Sequence, residues 1–236
     1  MKKLITLTAI VLLAGIAGLA QMPSGLDSSF GNNGFVYTMV YNGSFDLGNH
    51  IITSDGKILV AGNTAGANED LYATKFNKNG TPDNAFGNAG KSQYDPKLGA
   101  DDACYDVVEL PDGKFLLAGS TDGANNRDIM LLRLNSDGTI DNTFQNNGLL
   151  EVNFQGDDMV EKIKVYNNKI YLGAWSKMNN NPTDAYIIRL NMDGTLDQTF
   201  GTFSFTTIDP KPGDKESMDD FIIMKDGSIV VIGNTT

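Results

Sequence analysis

The chain has 236 residues and carries 18 Lys and Arg against 29 Asp and Glu, which gives a formal net charge of −11. The turn-forming residues Gly, Asn and Asp number 26, 24 and 24, whereas Glu numbers only 5. This composition argues against a long helical bundle, which favours Glu and limits Gly, and the acidic charge argues against a nucleic-acid-binding protein.

The N-terminus has the pattern of an export signal. Lys2 and Lys3 precede an apolar run that ends in the small-residue sequence Gly18-Leu19-Ala20. The pattern predicts a signal peptide at residues 1–20, cleaved after Ala20, and an exported protein: periplasmic, at the cell surface or secreted, with no membrane span left after cleavage. An uncleaved anchor or a core segment is the alternative, although the uninterrupted apolar stretch is short for a bilayer, which needs ~20 residues.

Three signatures then recur in the same order, with a period of about 57 residues. The first is a turn and an apolar run, at Asp55–Gly62, Asp112–Gly119, Asn167–Ala174 and Asp226–Gly233. The second begins with Asp and ends with Asn, at Asp70–Asn77, Asp128–Asn135 and Asp184–Asn191. The third is an Asp-x-x-Phe turn, at Asp27–Phe30, Asp83–Phe86, Asp141–Phe144 and Asp197–Phe200. The chain is therefore predicted to be a repeat protein.

Each complete unit contains four short strand-like runs, which in the second unit are Tyr105–Leu110, Lys114–Ser120, Ile129–Asn135 and Leu149–Phe154. The second and third runs are almost continuously apolar, a pattern typical of strands covered on both faces. The units therefore predict an all-β, β-propeller-like repeat of four-stranded blades. Their expected bounds after the signal peptide are 21–42 (partial), 43–96, 99–155, 156–208 and 214–236 (partial).

The two ends supply only part of a blade. The N-terminal part offers a last strand near Phe35–Val40, and Thr236 follows the second strand of another unit. The termini could pair to close a ring that lacks one strand. We instead expect an incomplete ring from a longer protein with further blades or a C-terminal domain, because an open arc leaves sheet edges exposed.

The run Asp-Gly-Lys-Ile-Leu-Val-Ala-Gly, combined with Leu-Asn-x-Asp-Gly-Thr-x-Asp-x-x-Phe, resembles the delta-60 repeat family of bacterial exported proteins. The resemblance covers residues 25–236. It implies a β-propeller fold and a bacterial surface or secreted setting, and it implies no catalytic residues.

The turn Asn135-Ser-Asp137-Gly-Thr-Ile-Asp141 is similar to a calcium-binding loop, with copies starting at Asn77 and Asn191. Calcium loops of this type begin with a carboxylate two residues earlier. Basic residues occupy that position here: Lys75, Arg133 and Arg189. We therefore expect a turn in which Asp and Asn bind their own backbone, with Asp141 near an Arg, and no calcium or other cofactor.

Acidic side chains form two columns in the first strands when the units are aligned on the following turn. The first column is Asp102, Asp157 and Glu216, and the second is Asp106, Glu161 and Asp220. These carboxylates could converge into a surface for a cation or a basic, amine-bearing ligand. The alternative is that they are solvated strand ends or pair with Lys162 and Lys164.

Other positions are interpreted from whether they repeat. The repeated Asp70, Asp128 and Asp184 predict hydrogen bonds between blades, and the four Phe residues of the Asp-x-x-Phe turns predict wedges between blades. The single Cys104 replaces Leu and Met of other units, which predicts an apolar filler and excludes an intramolecular disulfide.

Trp175 breaks the repeat beside a polar insertion that extends to Pro182. We expect a packed Trp, and the alternative is a contact surface for sugar or peptide, which an aromatic beside Asn residues can form. The single His50 lies in a variable column and has no evident catalytic partners.

Two functional hypotheses follow. The first is a non-catalytic exported propeller that serves as a binding or scaffold module for a protein or glycan ligand. The second is a glycan-active hydrolase or lyase, which would need a unique pair of carboxylates in one cleft. Because almost every acidic residue lies in a repeating column, we favour binding.

Overall fold

A computed structural model describes residues 25–38, 45–64, 68–123, 126–177 and 183–236. The predicted signal peptide and the polar insertion at residues 178–182 lie outside the described residues. The described chain is all β and contains 14 strands. Their bounds are β1 Phe45–Ile52, β2 Ile58–Thr64, β3 Leu71–Phe76, β4 Lys91–Tyr94, β5 Asp102–Glu109, β6 Phe115–Asp122, β7 Arg127–Leu134, β8 Leu149–Val152, β9 Asp157–Tyr166, β10 Lys169–Lys177, β11 Asp184–Asn191, β12 Phe205–Ile208, β13 Glu216–Ile223 and β14 Ile229–Thr235.

The strands form successive antiparallel sheets in chain order. β1–β4, β5–β8 and β9–β12 are four-stranded, and β13–β14 is two-stranded. Each first strand contacts the first strand of the next sheet, and the sheets stack face to face in an arc. Among the described residues, no hydrogen bond or salt bridge joins the first and fourth sheets, and the sheets do not close into a ring. The predicted all-β repeat of four-stranded propeller blades is confirmed.

Apolar faces of adjacent sheets form the core. We call the face that packs on the preceding sheet the leading face, and the opposite one the trailing face. Leu59 and Ala61 on the trailing face of the first sheet pack with Cys104, Val107 and the rest of the leading face of the second. A second cluster fills the junction between the second and third sheets, and a third cluster fills the next junction. The continuous apolar runs therefore arise because each inner strand is covered on both faces.

Phenylalanine rings join adjacent units at the ends of these faces. Phe86 and Phe144 are fully buried. Each ring lies against a left-handed glycine in the turn of the next unit: a Cβ atom on Gly138 would lie 2.9 Å from the Phe86 ring, and one on Gly194 would lie 2.6 Å from the Phe144 ring. These contacts confirm the predicted wedges at both junctions.

The N-terminal described segment makes the same junction without a sheet of its own. The Gly31 amide donates to the Asn79 carbonyl at 2.7 Å, as the Gly87 amide donates to the Asp137 carbonyl at 2.8 Å. The predicted last strand near Phe35–Val40 is only partly described. Residues 35–38 form an isolated bridge from Phe35 to Asn32 and no strand, and the remainder lies outside the described residues.

A buried carboxylate in each complete unit holds two basic side chains. Asp141 Oδ2 lies 2.7 Å from Lys114 Nζ and 2.8 Å from Arg133 Nε. Its Oδ1 accepts hydrogen bonds from the Thr143 amide and hydroxyl. The equivalent groups are Asp83 with Lys57 and Lys75, and Asp197 with Lys169 and Arg189. We call each group an aspartate–cation cluster; the predicted pairing of Asp141 with an Arg is confirmed.

Candidate functional site

The antiparallel connections divide the molecule into two ends. The turns between first and second strands, and between third and fourth strands, lie at one end, which we call the turn end. The connections from second to third strands, and from each fourth strand to the next sheet, lie at the opposite end, which we call the loop end. The turn end holds the loops that are similar to calcium-binding loops, whereas most of the acidic columns and Trp175 lie toward the loop end.

The calcium-like loop is built as a self-bonded turn. Asp137 Oδ1 accepts hydrogen bonds from the Thr139 amide at 2.9 Å and the Thr139 hydroxyl at 2.7 Å. These bonds hold the pKa of Asp137 below its usual range. Asn135 donates to the Thr139 hydroxyl at 3.0 Å. Asn79 and Asp193 make the matching bonds in the other units. Within the described ranges, no group of three or more His, Cys, Asp or Glu side chains is arranged to hold a metal ion.

The register of the third sheet differs from the predicted alignment by one residue. Asp102 lies opposite Thr121, and the equivalent second-strand residue Ser176 lies opposite Asp158, not Asp157. By the same register, Lys162 rather than Glu161 occupies the position of Asp106. The predicted columns are therefore wrong in the third unit.

A shorter turn causes this shift. The third unit connects its first two strands through Asn167 and Asn168, both with positive φ, and this turn is one residue shorter than the Pro-Asp-Gly turn of the second unit. Two consecutive left-handed residues form a tight hairpin turn, which Asn tolerates. An alignment anchored on the turn consequently displaces every residue of the preceding strand by one position.

The corrected first column is a set of buried acids at the loop end. Asp102 and Asp158 are fully buried, and Glu216 is 3% exposed. Each lies opposite a hydroxyl on the second strand: Thr121, Ser176 or Thr235. Neither carboxylate oxygen of Asp102 accepts a hydrogen bond. Asp158 Oδ1 and Glu216 Oε2 also lack a hydrogen-bond partner. Burial raises the pKa of Asp102 to about 6, and the nearby Thr121 hydroxyl only partly opposes it.

We predict that Asp102→Asn stabilises the protein near neutral pH. The folded carboxyl has a pKa above the unfolded value of about 3.9, so the folded state binds more protons, and stability falls as pH rises from about 4 to about 6. Asn removes this penalty, and we expect a gain of about 2 kcal/mol at pH 7.5 and little gain at pH 4. Urea denaturation at both pH values measures the difference. Asp157→Asn, which changes an exposed acid at the start of β9, is the control; an equal effect of Asp102→Asn at both pH values would contradict the prediction.

The second column is used in contacts between sheets. Asp106 Oδ2 accepts a hydrogen bond from the Ile163 amide of the third sheet at 2.9 Å, while its Oδ1 accepts one from the Asn49 side chain of the first sheet. Asp220 pairs with Lys164 of the preceding sheet at 2.7 Å. Asp106 and Asp220 therefore link first strands, and the alternative pairing with Lys164 is confirmed for Asp220.

The repeated Asp at the start of the third strand does not link blades. Asp70, Asp128 and Asp184 accept side-chain hydrogen bonds from their own units, from Gln93, Asn126 and Tyr186. The residues just before them make the link instead. The Glu69 amide donates to Asp101 and the Arg127 amide to Asp157, each in the next unit. The prediction of blade-to-blade bonds from these Asp side chains is wrong, because the backbone one residue earlier reaches the neighbouring sheet.

Trp175 and Glu161 form a pair that the sequence did not predict. The Trp175 Nε1 donates to Glu161 Oε1 at 2.9 Å, and both side chains are half-buried. Glu161 lies at the bulge of β9, where the other units have Gly48, Tyr105 and Asp219. Ser120 contacts Tyr105, and Asn234 contacts Asp219, in the same way. The pair thus occupies a repeating position with residues that no other unit has.

The structure also shows where the single cysteine and the single histidine of the sequence lie. Cys104 is buried in the first junction, where burial raises the pKa of its thiol to about 12, so the predicted apolar filler is confirmed. His50 is exposed on β1. In the described part of the chain no helix is long and apolar enough to cross a membrane.

Comparison with known proteins agrees with this geometry. Residues 53–86, 110–144 and 167–200 match the family model described as "Domain of unknown function (DUF5122) beta-propeller". Each matched segment ends on a wedge-position phenylalanine: Phe86, Phe144 or Phe200. No curated protein matches the chain. The chain is thus similar over three repeats to a beta-propeller family, and its own sheets are propeller blades.

Proposed function

We propose that the protein is a non-catalytic, exported propeller that serves as a binding or scaffold module at the bacterial cell surface or outside the cell. The observation that carries the proposal is the Trp175–Glu161 pair, which is unique among the units although it occupies a repeated position. The repeated Asp141 already binds basic side chains of its own sheet, and Asp106 already accepts a hydrogen bond from the neighbouring sheet. The Trp175–Glu161 pair breaks this pattern, because no other described unit has a tryptophan and a glutamate at these two positions.

The loop end has the charge to attract a basic or amine-bearing protein or glycan ligand. Its connections and adjoining strand ends carry more acidic than basic side chains. The acidic ones include Asp95, Asp101, Asp122, Asp157, Asp209 and Asp214, and the basic ones include Lys97, Arg127, Lys177, Lys211 and Lys215. A surface with a net negative charge raises the local concentration of positively charged ligands and disfavours nucleic acid.

Export rests on the N-terminal pattern. Two lysines, a short apolar stretch and small residues before the predicted cut are the features of a signal peptide. Protein recovered from a bacterial periplasm or culture medium is expected to begin at Gln21, as read by N-terminal sequencing. A chain that retains Met1 in the cytoplasm would contradict export.

The binding proposal is tested with octalysine as the cationic probe. Trp175 is the only tryptophan, so intrinsic fluorescence reports directly on the proposed site. We expect octalysine to change the fluorescence, with an affinity that falls as salt rises. Glu161→Gln should weaken binding several-fold, because it removes the charge and keeps an oxygen that accepts the indole N–H.

Asp112→Asn is the matched control, since it removes one charge at the turn end and should leave the affinity unchanged. No fluorescence change, or an equal loss of octalysine affinity in both variants, would overturn a loop-end site.

Adding a calcium chelator is expected to leave the melting temperature unchanged. The same preparation is expected to release no nitrophenol from a panel of chromogenic glycosides; release that depends on the protein would favour the hydrolase alternative.

A further inference from the structure

A small pocket lies at the turn end of the first unit. Its volume is about 330 Å³, and it opens between the two turns of the first sheet. All of the residues that line it have charged or polar side chains. They are Asp55 and Lys57 from the turn between β1 and β2, and Asn77, Lys78, Asn79 and Thr81 from the connection between β3 and β4. The pocket is therefore suited to a hydrophilic ligand.

The Lys78 side chain forms one wall of this pocket, because it reaches from one turn to the other. A Cβ atom on Gly56 would lie 2.5 Å from Lys78 Cε and 3.0 Å from its Nζ. At the equivalent Gly113 of the second unit, an added Cβ would meet no atom within 4 Å. The second unit has the shorter Ser136 in place of Lys78. The wall is therefore a feature of the first unit that the second unit lacks.

Two ammonium groups give this pocket a positive charge. Lys57 Nζ lies 2.8 Å from Asp83 Oδ2 and 3.9 Å from Asp55 Oδ2. In the described part of the chain, Lys78 has no ion-pair partner. Because an ammonium group carries three N–H donors, both lysines keep donors for a ligand. An anion bound here also neutralises the unpaired charge of Lys78.

Asn79 adds an uncharged donor beside the lysines. Its Oδ1 accepts hydrogen bonds from the Thr81 amide at 3.1 Å and from the Thr81 hydroxyl at 2.8 Å. Its Nδ2 makes no hydrogen bond to any other described residue. Asp137 and Asp193, at the same position in the other units, make the same turn bonds, but an ionised carboxylate offers acceptors only. Asn79 therefore builds the same turn and presents a donor in place of a negative charge.

These two replacements reverse the charge of the turn. The two residues are Lys78-Asn79 in the first unit, Ser136-Asp137 in the second and Met192-Asp193 in the third. Their formal charge is +1 in the first unit, from one Lys, and −1 in each of the others, from one Asp. The reversal occurs in a chain whose net charge is −11. Since the turn forms with either set of residues, its fold does not require the positive charge, and a ligand accounts for it.

We propose that this pocket binds a sugar acid, such as a uronic acid residue of a glycan. The ligand carboxylate accepts charge-assisted hydrogen bonds from Lys78 and Lys57 and a further bond from Asn79. Asp55 Oδ1 is already occupied by the Thr53 hydroxyl and the Lys57 amide, which leaves its Oδ2 to accept a bond from a sugar hydroxyl. An acid that carries hydroxyl groups therefore matches the pocket better than a bare anion, which Asp55 repels. The ligand has the opposite charge to the one proposed for the loop end.

Amide NMR spectra of the isotope-labelled protein test the proposal, with sodium glucuronate as the probe at constant ionic strength. We expect saturable shifts of the amides of Lys78, Asn79 and Thr81 at millimolar glucuronate. Glucose, which lacks the carboxylate, should leave these amides unshifted. Inorganic phosphate, which lacks the sugar hydroxyls, should bind several-fold more weakly than glucuronate. No shift with glucuronate, or an equal response to glucose or phosphate, would overturn the proposal.

Lys78→Met introduces the residue of the third unit and should weaken glucuronate binding at least several-fold. Lys211→Met is the matched control, because it removes the same charge from a lysine at the loop end whose side chain is 70% exposed. It should leave the affinity for glucuronate unchanged. Equal weakening in the two variants would overturn the proposal, since the net charge of the chain and not the pocket would then decide binding.

Transfer of the two residues to the second unit tests the same assignment by a gain of binding. Asp112 and Lys114 already stand where the first unit has Asp55 and Lys57. Ser136→Lys combined with Asp137→Asn should therefore create a second glucuronate site, seen as new saturable shifts at the Thr139 amide. A folded double variant without these shifts would overturn the roles of Lys78 and Asn79. Octalysine titration of the same protein reports on the loop end separately, so failure of one site is distinguished from failure of the other.

Discussion

Replacing Asp141 with Ala is expected to lower the free energy of unfolding by about 3 kcal/mol, because removal of one partner leaves buried charges uncompensated. Arg133 and Lys114 both bind the same oxygen of Asp141, at 2.8 and 2.7 Å, and the Arg133 side chain is only 11% exposed. The change also removes two hydrogen bonds that Thr143 donates to the turn. Urea denaturation at pH 7 measures the loss.

The control lies four residues away in the same loop. Asp137→Asn should change stability by less than about 0.5 kcal/mol, because the first unit already has Asn79 at this position with the same turn bonds. An equal loss of unfolding free energy for Asp141→Ala and Asp137→Asn would show that the aspartate–cation cluster stabilises the protein no more than a surface turn does.

The stability that Asp141 contributes is also expected to depend on pH. Burial raises the pKa of Asp141, but hydrogen bonds from Lys114 and Thr143 and the charge of Arg133 outweigh it and hold the pKa well below its usual range. A carboxyl with a lowered folded pKa stabilises the protein above the unfolded value of about 3.9, and that contribution is lost as pH falls through the lower folded pKa. The difference between wild type and Asp141→Ala should therefore shrink below pH 4.

Phe144→Ala should destabilise the junction between the second and third sheets by about 3 kcal/mol, a value typical of a large buried aromatic ring. The ring is fully buried, lies against Gly194 and stacks with the Arg133 guanidinium at 4.4 Å from its centroid. Thermal or urea unfolding measures the loss.

Gly194→Ala should destabilise the same junction from the other side. The added Cβ would collide with the Phe144 ring, and Gly194 has a φ of +87°, which side-chain-bearing residues rarely adopt.

Phe203→Ala is the control for ring size. Phe203 is 75% exposed, so its truncation should cost less than about 0.5 kcal/mol. A similar loss for Phe203→Ala and Phe144→Ala would contradict the assignment of Phe144 as a wedge between sheets.

Residues with strong local chemistry could be interpreted from the sequence alone. The turn bonds of Asp137 and Asp193 follow from Asx chemistry, and the positive charge of Arg133 argued correctly for an ion pair with Asp141. The burial of Cys104 also follows from its apolar column. In each case the deciding interaction lies within a few residues, or the position repeats in several units.

The contacts of residues whose position depends on strand register could not be predicted from the sequence. Trp175 pairs with Glu161 because the Asn167-Asn168 turn is one residue shorter than its counterpart, which moves Glu161 onto the bulge of β9. The same shift places Asp158, and not Asp157, in the column of buried acids. A single residue in a turn changes which face every side chain of the strand occupies, and no local propensity reports that change.

The sequence by itself determined the period, the strand-rich blades, the turns and the wedges, because these depend on local chemistry repeated several times over. Only the tertiary structure decided which acids are buried and which polar groups meet across sheets. Those properties depend on how one sheet packs against the next, and packing joins residues that are far apart in the chain.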